Sequence, residues 1–201
     1  MVGKDIISVN QFNRESLEAI YQISLIMEKK SREKEELDIL KDKIMASLFF
    51  EPSTRTRFSF ESAIHRLGGK VIATTDAIYS SMAKGETLKD TIKTIEKYAD
   101  IIVIRHPQKG SAKIAARCTK IPVINAGDGP GEHPTQALLD FYTIKKEKRR
   151  VSGLKISMVG DLKYGRTVHS LVKLLSNYEN LEFCFISPKE LKMPKEYLEI
   201  L

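Results

Sequence analysis

The chain has only two cysteines, Cys118 and Cys184, which stand far apart and form no C-x-x-C pair or Cys/His ligand spacing. That argues against a disulfide framework and against a zinc site, so no metal is expected; no cofactor is expected either, for want of a dinucleotide turn. Long apolar runs are missing as well. None reaches the roughly 18 residues that a bilayer span requires, and the opening MVGKDIISVN has no apolar signal core. A soluble, cytoplasmic protein without a membrane partner is expected. Low-complexity tracts and repeats of solenoid period are absent too. A formal charge of +7 and a pI near 9.3 fit nucleic acid, an anionic small substrate or a lysine-rich surface. Aromatic residues are not interleaved with the basic ones as base stacking requires, so no nucleic-acid partner is expected. The densest basic run, Lys145, Lys146, Lys148, Arg149 and Arg150, reads as a solvated helix end whose cations complement the dipole.

What is present is enough apolar content, 42% against 29% charged, to bury a sizeable core. Leu17, Ile20, Ile23 and Met27 repeat at the helical period, which predicts an opening helix over 16–30. The compact apolar run 43–50, ended by Pro52, reads as a buried strand. Phe60, Ala63, Ile64 and Leu67 then give a helix, with Gly68-Gly69 as its stop. The alternation continues with strands at 71–74, 101–104 and 121–124 and helices at 87–98 and 111–118. Pro134 opens a helix to about residue 148. Beyond Ser152-Gly153 come a strand at 154–159, a helix at 167–175, a strand at 181–186 and the start of a helix near Glu196. This order predicts an α/β protein of two doubly wound parallel-sheet domains. Residues 1–150 form the first and 151–201 begin a second. Two strands fall short of the five or so that such a domain commonly has, so the second domain is expected to be incomplete.

Five segments carry chemistry. Glu51-Pro-Ser53-Thr54-Arg55-Thr56-Arg57 sits where a strand turns into a helix. A helix N-terminus offers unpaired N–H groups and a positive dipole end, and Arg55 adds a planar fork for bidentate phosphate binding. The plain alternative is a Ser N-cap with surface arginines. The glycines and the G-K-[ST] ending of a P-loop are absent. The glycine-rich Asn125–Glu132 stretch delivers His133, Pro134 and Gln136 to another helix start, where the dipole is expected to keep His133 neutral. A lone loop histidine is otherwise a structural residue. Arg105-His106-Pro107 follows a strand, placing Arg105 at the ligand-binding edge of a parallel sheet, although a single arginine there is ordinarily a surface ion pair. Ser81-Met-Ala-Lys84-Gly-Glu-Thr reads as a flap or as a solvated loop. Gly160-Asp-Leu-Lys-Tyr-Gly-Arg166 again joins a strand to a helix, and it lacks the G-x-G-x-x-G of a dinucleotide turn.

Taken together, Phe50-Glu-Pro-Ser-Thr-Arg-Thr-Arg57 and His133-Pro-Thr-Gln136 resemble the signatures of the carbamoyltransferase family. The K-G-E-T loop, R-H-P, N-A-G-D-G and Met158–Leu171 resemble the members that use aspartate rather than ornithine. The resemblance covers essentially the whole chain. It implies transfer of the carbamoyl group of carbamoyl phosphate to the α-amino group of L-aspartate, an early step of pyrimidine biosynthesis. Ser53, Thr54, Arg55 and Thr56 would hold the phosphate, Thr56, Arg105 and His133 the carbonyl oxygen, and Gln136 the amide nitrogen. Arg55, Thr56, Arg105 and His133 would be the catalytic set. Lys84 and Arg166 would bind aspartate, Ser81 and Lys84 would serve the neighbouring subunit of a homotrimer, and Glu51 would hold the domains closed. Regulatory chains are an open partner. The arginine-and-glutamine loop that grips aspartate in relatives and the late His-Pro-Leu-Pro segment do not occur in this sequence. An impaired carbamoyl-phosphate-binding chain and a transferase with another amine acceptor therefore stay as alternatives.

Overall fold

The computed structural model describes residues 3–74 and 85–201. Ser81 and Lys84 lie outside the described residues. The chain parts into two compact units, residues 1–7 with 28–131 and residues 8–27 with 132–201.

The first unit is built on a four-stranded parallel sheet of order β2-β1-β3-β4, with β1 at Ile44–Phe49, β2 at Lys70–Thr74, β3 at Ile101–His106 and β4 at Val123–Asp128. Side chains alternate across a strand, so a strand covered on both faces must be apolar throughout, and β1 is. Ala46 and Leu48 point to one face, into a cluster with Ile102, Ile104, Val123, Ile92 of α3 (Leu88–Ile95) and Ala112 and Ala115 of α4 (Ser111–Cys118). Met45 and Phe49 point to the other, with Val103, Ala126 and Ile64 of α2 (Thr54–Arg66). The N-terminal segment adds one bridge, Ile6 to Ile124.

The expected glycine stop of α2 is met by Gly68 at φ +83, where an added Cβ would lie 2.8 Å from the Leu37 carbonyl oxygen. β3 and β4 run further than the sequence pattern suggests. Arg105 is not beyond β3 but inside it, paired with Phe49, and Asn125–Asp128 belong to β4 rather than to the glycine-rich loop. His106 pairs with Asp128 across a register shift. Gly129 (φ +54) follows at once, and a Cβ there would meet the Pro107 oxygen at 2.0 Å, so only glycine fits.

In the second unit β5 (Lys155–Val159) and β6 (Glu182–Ile186) form a two-stranded parallel sheet. Met158 and Leu162 pack with Val172 of α6 (Arg166–Leu175), Met193, and Tyr197 of α7 (Lys195–Leu198). α5 (Pro134–Lys148) packs against α6. The residues of α1 (Arg14–Arg32) up to Met27 belong to this unit, where Glu18 pairs with Lys145 and Tyr21 meets Phe141 edge-on. The strands of the first sheet lie before residue 150 and those of the second after it. The compact units part earlier, at Gly131 and Glu132, because α5 goes with α6. Among the described residues no helix is long and apolar enough to cross a membrane.

Candidate active site

Two sets of the expected residues are built, one in each unit. In the first, the ladder continues one step past β1, with Phe50 N–H donating to the Arg105 carbonyl at 2.8 Å. Pro52 has no N–H to carry it on, and the chain turns. Ser53 is the extended N-cap of α2 (φ −164, ψ 91), but its hydroxyl makes no capping bond. The first-turn N–H groups of Thr54, Arg55 and Thr56 have no acceptor within the helix. Arg55 is exposed and Thr56 half-buried. The motif's second arginine has a different position: Arg57 Nε donates to Glu61 Oε1 at 2.7 Å, and the same oxygen accepts the Ser47 hydroxyl of β1 at 2.9 Å. Arg57 is thus a strut between α2 and the sheet.

Arg105 is buried, at 8% exposure. Its Nη2 donates to Glu51 Oε1 at 2.6 Å and its Nη1 to the Ala126 carbonyl at 3.3 Å. Glu51 precedes Ser53 by two residues, so this ion pair brings the end of β3 to the start of α2. The neighbouring His106 shapes the loop instead. Its Nδ1 accepts the Gln108 N–H at 3.0 Å and lies 2.9 Å from Ser111 Oγ. Burial holds its pKa below the ordinary imidazole value, with Asp128 and Glu51 pulling the other way.

In the second unit His133 is the N-cap of α5 and Pro134 its first residue. The histidine is 7% exposed. Its backbone N–H donates to the buried Ser170 Oγ of α6 at 3.0 Å, and its Nδ1 lies 3.4 Å from Thr135 Oγ1. Glu132, just before it, accepts from Ser8 Oγ (3.0 Å), Val9 N–H (2.8 Å) and Lys173 Nζ (3.2 Å). This clamp and the Ser170 contact were not legible in the sequence, because their partners are distant along the chain. Gln136, one turn into α5, donates from Nε2 to Asp140 Oδ1 at 3.0 Å. Arg166 is the half-buried first residue of α6. The loop before it is shaped by Asp161, whose Oδ1 accepts the N–H groups of Lys163 and Tyr164 at 3.0 and 2.9 Å. His169 braces it from behind, donating from Nε2 to the Leu162 carbonyl at 2.8 Å and stacking on Tyr197 with ring centroids 4.0 Å apart. Burial lowers the His169 pKa and pushes the Tyr197 phenol up to about 12.

The first set, Ser53–Thr56 with Arg105, is suited to an anion, offering helix-start N–H groups, hydroxyls and guanidinium forks. The second supplies a histidine, an amide and a further arginine. Among the described residues no three His, Cys, Asp or Glu side chains gather as a metal ion would need.

Residues 4–146 match the family model for the aspartate/ornithine carbamoyltransferase carbamoyl-P binding domain. Over 199 residues the chain is 55% identical to the aspartate carbamoyltransferase catalytic subunit of Thermococcus onnurineus, covering 99% of this chain and 64% of that one. Among solved structures it is similar to the catalytic subunit of M. jannaschii aspartate transcarbamoylase (TM-score 0.92, 54% identity, 98% of this chain and 64% of that one). It is also similar to the Trypanosoma cruzi aspartate transcarbamoylase in complex with carbamoyl phosphate and aspartate (TM-score 0.92, 45% identity, 98% and 61%). The chain spans just under two thirds of the length of these relatives. From the match over residues 4–146, the chain belongs to the aspartate/ornithine carbamoyltransferase family.

Proposed function

We propose that this chain contributes the carbamoyl-phosphate site and the first part of the aspartate site of an aspartate carbamoyltransferase, which forms N-carbamoyl-L-aspartate and phosphate. The observation that carries this reading is the uncapped start of α2, with exposed Arg55 at its second position and the Glu51–Arg105 pair beside it. A solved relative in complex with carbamoyl phosphate and aspartate supports the choice of ligands. In the domain sense, residues 1–150 serve carbamoyl phosphate and 151–201 begin the aspartate-binding domain.

The chemistry requires no covalent intermediate on the protein. The uncharged α-amino group of aspartate attacks the carbonyl carbon, negative charge develops on the carbonyl oxygen, the C–O bond to phosphate breaks, and the proton shed by the amine goes to the departing phosphate. Thr56, Arg105 and His133 are the donors for that oxygen, and electrostatic stabilisation of this kind is commonly the largest part of catalysis. Arg55, Ser53, Thr54 and the α2 N–H groups hold the departing phosphate, Gln136 holds the carbamoyl nitrogen, and Arg166 takes a carboxylate of aspartate. Glu51 serves domain closure. Ser81 and Lys84 complete a neighbouring subunit's site in a cytoplasmic homotrimer, a proposal resting on the K-G-E-T sequence. Side-by-side binding of both substrates supplies the orientation term.

Isothermal calorimetry tests this on the whole chain. Carbamoyl phosphate should bind first and raise the heat of a following aspartate titration, whereas ornithine should give none. Absence of carbamoyl phosphate binding would end the proposal. Sedimentation velocity checks the trimer.

A further inference from the structure

Gln136 and Asp140 stand one turn apart on α5, and Gln136 Nε2 donates to Asp140 Oδ1 at 3.0 Å. A glutamine amide has two unlike ends, an NH₂ that donates and a carbonyl that accepts, and left alone it can present either. An ionised carboxylate only accepts, so it selects the NH₂ end and leaves Gln136 Oε1 for something else. The carbamoyl group differs from an acetyl group of the same shape by carrying NH₂, a donor, where the other has methyl. Recognising it requires an acceptor.

We propose that Asp140 is a positioning residue which, by holding Gln136 Nε2, presents Gln136 Oε1 to the carbamoyl NH₂ and so selects carbamoyl over acetyl phosphates. This rests on the reading of Gln136 above. The acid sits at a half-buried position, where burial pushes its pKa above the ordinary carboxylate value and the Gln136 N–H pulls it back. A leucine would occupy such a site without that penalty. Among the described residues, the side-chain hydrogen bond of Asp140 is to Gln136.

Gln–Asp pairs at this spacing also support helices in a general way, so the test must separate selection from stability. Three stable probes suffice, titrated into the whole chain by calorimetry: phosphonoacetamide, which ends in NH₂, phosphonoacetone, which ends in methyl, and inorganic phosphate. The native chain should favour the amide over the ketone. Asp140→Leu should lose about 3- to 10-fold in phosphonoacetamide affinity, the scale of one hydrogen bond, while phosphonoacetone and phosphate bind as before. Asp140→Asn, whose amide can accept from or donate to Gln136, should give an intermediate preference at an unchanged melting temperature. That variant decides the matter should Asp140→Leu fail to fold. An amide-to-ketone preference unaltered by either substitution overturns the proposal. Phosphate binding with no such preference in the native chain also overturns it, leaving the anion site intact. Absence of phosphate binding overturns both readings.

Discussion

The guanidinium of Arg105, in the middle of the sheet, is held 2.6 Å from the carboxylate of Glu51, 54 positions earlier in the chain. The arginine is nearly buried and the glutamate partly so, so removing one charge strands the other in a poor solvent. Glu51→Gln should lower stability by about 1–3 kcal/mol. Urea unfolding would show this as a lower midpoint with an unchanged slope. An unchanged midpoint would mean that the pair does not tether the start of α2.

Arg55 presents the opposite case. It is exposed, and among the described residues its guanidinium has no hydrogen-bond partner. Arg55→Ala should therefore leave the melting temperature alone but weaken phosphate and carbamoyl phosphate binding by about 10-fold or more, as loss of a charge-assisted contact does. Native-like affinity in that variant would move the phosphate elsewhere.

His133 is expected to act on the transition state more than on the bound substrate. In an assembly that turns over aspartate, His133→Ala should reduce turnover by roughly 10²- to 10³-fold, with carbamoyl phosphate affinity little changed. Colorimetric detection of the ureido product measures it. Equal turnover would take the histidine out of the mechanism.

The pH response follows from His106 and His169, both held below the ordinary imidazole value chiefly by burial. Unfolding returns them to about 6.5, so the unfolded chain binds more protons. The stability that their neutral rings contribute is whole above that pH and is lost as pH falls through the lower folded values. Denaturation midpoints should drop from about pH 7 to about pH 5, and less steeply in His106→Asn and His169→Gln. Asp140, held above the usual carboxylate value, works in the other sense and only at the acid end. A flat native profile would contradict the assignment.

Local chemistry was readable in advance where it acts locally. Pro134 opens α5, Gly68 closes α2, and Ser111–Cys118 forms a helix at the predicted positions. The ends of β3 and β4 were not readable, because Arg105-His106 and Asn125–Asp128 look polar and turn-like by themselves. Pairing with Phe49 and with each other makes them strand, and such pairing outweighs intrinsic preference. For the site, the motifs gave the residues proposed to hold the phosphate at the start of α2. They did not distinguish Arg57, which is held by Glu61, from Arg55, which has no such partner among the described residues. Asp140 was within reach of the helical period, four residues after Gln136, but nothing in the sequence marks one surface acid among many.

The two sheets differ in how many of their strands are enclosed. β1 and β3 are each flanked by strands on both sides, whereas among the described residues β5 and β6 have one paired neighbour apiece, with Val159 at 71% and Ile186 at 50% exposure. Strands paired on one side only open more often than enclosed ones. In deuterated buffer the amides of β1 should outlast those of β5 by orders of magnitude.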